Sequence, residues 1–453
     1  MIYSSTWLKR SFFAHMSLYY FVAVFFFGIM QQHKMPPMPV FLMQISAVVI
    51  TVLFSYLYSK KSIAVTLSVV FVFQLITSLS LRMFNYDFFN NPLGYNPGDA
   101  SWYDQMATQF YRGSLRELNM FLDTAEIMLD DRGFNYLLFY IYKIAGTPER
   151  GVNLATILNV FIVTASAYFL YKTATTMMEE KYAELATFVW GTQLYAVYTS
   201  AAGLKENVMV LFVVAALYFI ARLWHEYTLF NVIMAVLLSM FALLFRMALF
   251  YMLIASLLTV TAIKFPFIRK YLAFFIVVGV ILTLIYFRIA MSEMVEIRGQ
   301  AIDQETYEGM VANKMERSGP FSTMVSYISA MIGPFPNIVS YGEKANYITL
   351  FSFSSFCKTF YAMYFLYSIY LLFKKKVVQL LPLVVFWAFD ILMLIVTYYT
   401  LHDRYHWPHV PIVILLSVWG AVQWTKSKPK NATMLRRVYV VVLFIILIAF
   451  NYR

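Results

Sequence analysis

The sequence predicts an all-α, polytopic membrane protein with about 13 transmembrane helices, and three observations carry that reading. The 453-residue chain is 61% hydrophobic and only 13% charged, where soluble domains sit near half apolar and a quarter charged. Its apolar residues fall in runs of about 20, the length that crosses a bilayer's hydrocarbon core. Its Lys and Arg residues gather in short segments between those runs, as topology signals do. A β-barrel would show short alternating segments instead. The net charge of +12 therefore reads as membrane topology rather than as a nucleic-acid surface. A single cysteine, Cys357, excludes an intramolecular disulfide.

Taken in order, Lys9 and Arg10 precede an apolar run over 12–30 that is too long for a signal-peptide core. No small-x-small site follows it, so it reads as a first span with a cytoplasmic N-terminus. Spans are expected near 11–30, 39–58, 62–82, 151–171, 183–202, 206–224, 229–246, 247–264, 271–290, 350–373, 377–400, 407–425 and 437–452. With Lys9 and Arg10 inside, the basic groups Lys60/Lys61, Lys172/Lys181, Arg222, Lys264/Arg269/Lys270, Lys374–Lys376 and Lys426–Arg437 all fall inside too. The 229–264 stretch reads as two short spans meeting at Arg246, or as one long span plus a re-entrant piece.

The chain then divides as a single integral membrane domain, 1–453. A three-span unit, 1–82, is followed by a first outer loop, 83–150, core spans, 151–290, a second outer loop, 291–349, and C-terminal spans, 350–453. The first outer loop holds a short apolar piece over 134–146, too brief to span and fitted to an interfacial helix. In the second, 319-GPF-321 and 333-GPFPN-337 break the chain into short helices lying on the membrane. No repeat period or low-complexity tract is present.

Charges in or beside hydrocarbon are costly unless paired, hydrated or functional. In 95-YNPGDASWYDQMATQFYRG-113, a Pro-Gly turn leads to Asp99, placed to cap a helix from about 100 to 112. Tyr103 and Ala107 share its helix face, while Asp104 points partly away. Spacing alone favours a simple N-cap for Asp99. Lys205 and Glu206 sit at a hinge between spans, either as a solvated pair or as a cation site for an anionic substrate. Arg246 is a lone charge in an apolar stretch, either a snorkelling anchor or the partner of an anion. In 401-LHDRYHWPHVP-411, His402, Asp403, Arg404, His406 and His409 form the densest polar cluster. That cluster is either a short outer loop with an aromatic belt or a functional site. A metal is not favoured there, because no helical ligand pair has the right spacing and Arg404 would repel a cation. Arg is the natural bidentate ligand for phosphate.

A carboxylate and several cations on the outer face suit transfer from a phosphate-linked donor. The carboxylate takes a proton from an attacking hydroxyl, and the cations hold the departing phosphate. Nucleotide sugars are not supplied on the outer face of a bacterial plasma membrane. A lipid-phosphate donor fits that location.

The string Gly98-Asp99-Ala100, Tyr103, Ala107, Gly113 resembles the first outer-loop motif of GT-C glycosyltransferases, the polyprenyl-phosphate-sugar-dependent class. The run from Gly133 through Gly146 to Arg150 and Asn159 is similar to the helix and second core span that follow it there. Leu204-Lys205-Glu206 and Arg404-Tyr405, Pro408, Pro411 also look like GT-C-type bacterial polysaccharide enzymes. The likeness covers most of 95–225 and 400–420. It departs in having Ala100 where many members carry a second acid, and in two extra spans before the outer loop.

The resemblance implies an inverting transfer with little or no need of metal, Asp99 as catalytic acid-base residue, and a basic residue near Arg404 gripping the donor phosphate. The expected site is therefore Asp99 as base, with Arg404, Arg246, Lys205 and His402 on the phosphate. Tyr103, Asp104, Glu206 and His406 are expected to touch substrate. No resident cofactor is expected. The expected partners are a polyprenyl-phosphate sugar, a glycan or lipid-linked acceptor and membrane lipid, with no nucleic acid. The expected location is a bacterial inner membrane with the site on its periplasmic face. A polysaccharide polymerase or ligase using a polyprenyl-diphosphate oligosaccharide, with Arg298 and Arg317 as further cations, is a rival reading. A lipid-linked sugar flippase is another, and it predicts interrupted helices.

Overall fold

The structure, a computed structural model, describes residues 63–94, 98–125, 127, 129–265, 267, 327–333, 345–375, 377–396, 403–427 and 431–451. The expected spans 11–30, 39–58 and 271–290, most of 291–349, and His402, Arg298 and Arg317 lie outside the described residues.

The described residues are helical throughout and contain no strand. Among the described residues, five stretches are long and apolar enough to cross a membrane: Ile63–Asp87, Pro148–Thr175, Met247–Lys264, Val378–Ile395 and Arg404–Ser427. Leu229–Leu243 is a shorter apolar helix. A membrane-embedded helical protein follows from these lengths.

Helix α1 is Ile63–Phe89, running well past the expected end at 82. The first outer segment folds into three helices, α2 (Asp99–Phe110), α3 (Leu115–Thr124) and α4 (Leu129–Ala145). Ser114 and Glu117 form a reciprocal capping box that starts α3. Thr147 caps α5 (Pro148–Thr175), with Pro148 where its missing N–H costs nothing.

The single span expected over 183–202 is instead two helices, α6 (Glu180–Gly191) and α7 (Leu194–Ala201). The physical cause lies in α1. A Cβ on Gly191 would stand 2.5 Å from the Val70 methyls, so the bare glycine lets α1 in. Once α1 is that close, Gln74 Nε2 donates to the Gly191 carbonyl at 2.7 Å and satisfies the break.

Next come α8 (Glu206–Arg222), α9 (Leu229–Leu243) and α10 (Met247–Lys264). The 229–264 stretch forms two helices, of which only Met247–Lys264 is long and apolar enough to cross a membrane; Arg246 is extended, with φ −166° and ψ 115°, between α9 and α10. The C-terminal part contains α11 (Ala345–Lys375), α12 (Leu381–Val396), the four-residue α13 (Asp403–His406), α14 (Val410–Ser427) and α15 (Ala432–Asn451). A 3-10 turn, Trp407–His409, joins α13 to α14.

Helix α8 is the hub, packed against α5, α9, α10, α12 and the 3-10 turn. Lipid tails are as apolar as leucine, so close van der Waals packing must hold such helices together. Small residues permit it: a Cβ on Gly420 of α14 would fall 2.1 Å from the Tyr364 carbonyl of α11. Helices α5, α8, α10 and α14 each carry a basic residue in their last turn, Lys172, Arg222, Lys264 and Lys426. The opposite ends of α8 and α10 carry Glu206 and Arg246.

Candidate functional site

Asp99 is the first residue of α2, but it does not cap it. Gly98 occupies the N-cap position with φ 48°, and no side-chain cap bond forms. A positive φ suits glycine, which has no Cβ to clash. With the cap position taken by Gly98, the Asp99 carboxylate is free to reach across the fold. It accepts from Arg404 Nη1, across 305 positions of sequence.

Arg404 is shared. Its Nε donates to Glu206 Oε1 at the start of α8. The Glu206 side chain is 0% exposed and that of Asp99 is 55% exposed. One guanidinium thus joins a carboxylate inside the bundle to a carboxylate at its mouth. Removing a buried charge from water is costly, and the attraction of Arg404 offsets that cost for Glu206. The second Glu206 oxygen, Oε2, is buried without a hydrogen-bond partner among the described residues.

Lys205, next in chain to Glu206, pairs with Asp131 of α4. Asp131 also accepts from the Tyr103 hydroxyl at 3.5 Å. Burial first, then the negative charges of Asp131 and Glu206, hold the Tyr103 phenol above its ordinary range, so it keeps its proton. Helix α4 is fixed by a backbone contact. Gly133 N donates to the Leu244 carbonyl at 3.0 Å, and a Cβ there would stand 2.7 Å from that oxygen. Two residues past Leu244, the Arg246 guanidinium lies 4.7 Å from the Tyr405 ring centroid. Arg246 makes no ion pair among the described residues.

The loop that carries Arg404 is held from both sides. Trp407 lies between Trp190 and Tyr195, each 4.8 Å away between ring centroids. Its indole N–H donates to Asn207 Oδ1 at 3.3 Å, beside Glu206 in sequence. His409 Nδ1 bonds the buried Asp390 carboxylate of α12. His406 is fully buried, its ring centroid 5.2 Å from that of His409.

Asp104 takes the other flank of α2. Five residues on a helix turn through roughly 140° net, which sets it away from Asp99. It accepts from the Tyr142 hydroxyl of α4 and faces Arg82 of α1 without ion-pair contact. Burial pushes its carboxyl above the ordinary 3.8, while Tyr142 and Arg82 pull the other way.

The structure thus brings Asp99, Tyr103, Lys205, Glu206 and Arg404 together, with Arg246 beside them against the Tyr405 ring, while Asp104 lies on the other flank of α2 and His406 is buried next to His409. Asp131, Arg82, Tyr142, Asn207 and Asp390 join these polar groups without having been singled out for a role. Asp390 was legible as a lone acid in an apolar run, which is a functional signal by default. Arg82 read only as the end of a span, and Tyr142 carried no signal. No group of three or more His, Cys, Asp or Glu side chains among the described residues is placed to hold a metal.

Comparison with protein-family models finds no match, and no curated protein matches the sequence. The fold and site therefore define a class by themselves: a membrane-embedded helical protein with a balanced cluster of acids and cations at one end of its bundle.

Proposed function

We propose that the protein is a GT-C-like glycosyltransferase that moves a sugar from polyprenyl phosphate to a lipid- or glycan-linked hydroxyl. The observation that carries the reading is the meeting of Asp99, Arg404 and Glu206 from remote parts of the chain. A half-exposed carboxylate beside cations can run this chemistry. Asp99 accepts the proton of the attacking hydroxyl. The new bond forms between that oxygen and the anomeric carbon as the bond to the phosphate oxygen breaks. The electron pair leaves with the polyprenyl phosphate.

Arg246, which has an aromatic contact but no carboxylate among the described residues, is the cation best able to receive the phosphate. Arg404 has two carboxylates already, so its first task is to orient Asp99, with Nη2, unpaired among the described residues, remaining for the donor. Lys205 is held by Asp131 and tunes the field rather than gripping the donor. The basic far ends of α5, α8, α10 and α14 support an outward-facing site in a bacterial inner membrane, because Lys and Arg are retained on the cytoplasmic side.

The test uses full-length protein in lipid nanodiscs with a panel of tritiated polyprenyl-phosphate hexoses and membrane glycolipid extract as acceptor. Label should move to the acceptor fraction, and Asp99→Asn should cut the rate by about 10²–10⁴-fold with the thermal melt unchanged. Near-normal turnover in Asp99→Asn would remove Asp99 from the chemistry. Absence of transfer, together with no binding of polyprenyl phosphate, would end the donor reading.

A lipid-linked sugar flippase is favoured by one feature, the interrupted helix at α6 and α7. Proteoliposomes loaded with a fluorescent lipid-linked sugar separate the two. A flippase moves the dye across the bilayer without transferring the sugar.

A further inference from the structure

The flank of α2 opposite Asp99 holds a second polar group that the transfer chemistry leaves unused. Arg82 is 7% exposed. Its Nη1 donates to the Val152 carbonyl at 2.5 Å and to Thr156 Oγ1 at 2.6 Å, both on α5. Its Nε and Nη2 make no hydrogen bond or ion pair among the described residues. Neither nitrogen is fully enclosed, so solvent or a ligand can reach it. Facing it, Asp104 is only partly buried, and its Oδ1 is held by the Tyr142 hydroxyl. The Tyr142 ring is set in turn by Gly151, where a Cβ would fall 2.5 Å from the ring. Asn159, one turn along α5 from Thr156, keeps a buried Oδ1 without a partner among the described residues.

We propose that Arg82, Asp104 and Tyr142 form a binding site for the hydroxyls of a neutral sugar, which on the transfer reading is the acceptor. The chemistry selects that class. A hydroxyl donates and accepts at once, so its O–H can donate a hydrogen bond to Asp104 while its oxygen accepts one from an Arg82 N–H. A phosphate or carboxylate would suit Arg82 but meet the Asp104 charge. A cation would suit Asp104 but meet Arg82. The phenol, held by burial well above its ordinary range, stays a donor and fixes one carboxylate oxygen, leaving Oδ2 for the ligand. The α2 stripe of Ala100, Tyr103 and Ala107 separates this site from Asp99. That stripe is buried in the core, so this site is independent of the Asp99 side.

Saturation-transfer NMR on the full-length protein in nanodiscs tests the site directly. The probes are the methyl glycosides of glucose, galactose, mannose and N-acetylglucosamine, with methyl glucuronide and inorganic phosphate as charged controls. Polyprenyl-phosphate binding is measured on the same samples by native mass spectrometry. At least one neutral glycoside should bind. Asp104→Asn and Arg82→Lys should each weaken it about tenfold or more, as expected for a hydrogen bond to a charged group, and Tyr142→Phe should weaken it less. Asp99→Asn should retain it. The proposal is overturned if no neutral glycoside binds the wild type, as when water alone fills the gap. It is equally overturned if binding survives Asp104→Asn and Tyr142→Phe in protein that melts normally, or if glucuronide or phosphate binds in preference. Loss of polyprenyl-phosphate binding with glycoside binding intact would overturn the donor reading and leave this site standing.

Discussion

Asp99 and Asp104 are the same residue type on one helix, five positions apart, yet they sit in opposite surroundings. Asp99 lies at the mouth of the cluster, 55% exposed, and touches a guanidinium that is itself anchored to buried Glu206. Asp104 is more deeply set, touches a phenol, and faces an arginine it does not reach. The difference teaches that the charge state and availability of an acid follow from which helix packs against which flank. Here α8 and α13 serve one side, and α1, α4 and α5 serve the other.

The largest expected effect separates the two acids by kinetics. Asp99→Asn should lower kcat by about 10²–10⁴-fold with little change in the acceptor KM. Asp104→Asn should chiefly raise the acceptor KM. Steady-state rates over a range of acceptor concentrations distinguish these patterns, and equal losses of kcat in both variants would erase the proposed division of labour.

Next in size are two glycines that fix the flanks. Gly133→Ala drives a Cβ against the Leu244 carbonyl, which is backbone and cannot swing aside. It should cost about 1–3 kcal/mol and shift α4, with Asp131, away from Lys205. Gly151→Ala meets the Tyr142 ring instead, so it should release Asp104 while leaving the Asp99 side intact. Thermal melts with paired transfer assays check both. A Gly133→Ala protein that melts like wild type would show that the α4 contact is looser than its geometry implies.

Glu206→Gln keeps the shape but removes the buried charge behind Arg404. It should cost about 1–3 kcal/mol and leave Arg404 shared less firmly with Asp99. The measurement is the melting temperature beside the transfer rate, and an unchanged rate would show that Asp99 needs no such anchor.

The smallest effect is a pH dependence. The Asp104 carboxyl is raised in the folded protein, so the folded state holds its proton more tightly than the unfolded chain. The stability this contributes is fully present below the ordinary value of 3.8 and is lost as pH rises through the folded value. Between those limits wild type should lose stability with rising pH faster than Asp104→Asn does. Melting curves taken as pH is raised from about 4 read the difference, and parallel curves would mean that burial of Asp104 is weaker than its position implies.

Much of this was legible in the residues. The apolar runs gave α1, α5, α8, α9, α10, α12 and α14, because a chain leaving water must close its backbone bonds within each helix. The Pro-Gly turn before Asp99 marked where α2 begins. The rest was not legible, for reasons that can be named. The gap between α6 and α7 depends on the approach of Val70 and Gln74, more than a hundred residues away in sequence. The fate of Asp99 depended on Gly98 taking the cap, a backbone choice that sequence spacing assigned to the acid itself. Tyr142 looked like one aromatic among many until Gly151 gave its ring a seat.

Composition and periodicity by themselves determined that this chain is a bundle of apolar helices with a few costly charges, since those properties depend on local hydrogen bonding and transfer from water. They also picked out Asp99, Lys205, Glu206, Arg246 and Arg404, because an ionised group amid so much hydrocarbon is conspicuous wherever it stands. Only the tertiary structure decided the pairings: Arg404 with two acids, Lys205 with Asp131, Arg246 with a ring, and Arg82 facing an acid it does not touch. Electrostatic attraction falls off over a few ångströms, and which groups come that close is set by how helices far apart in the chain fit their small residues together.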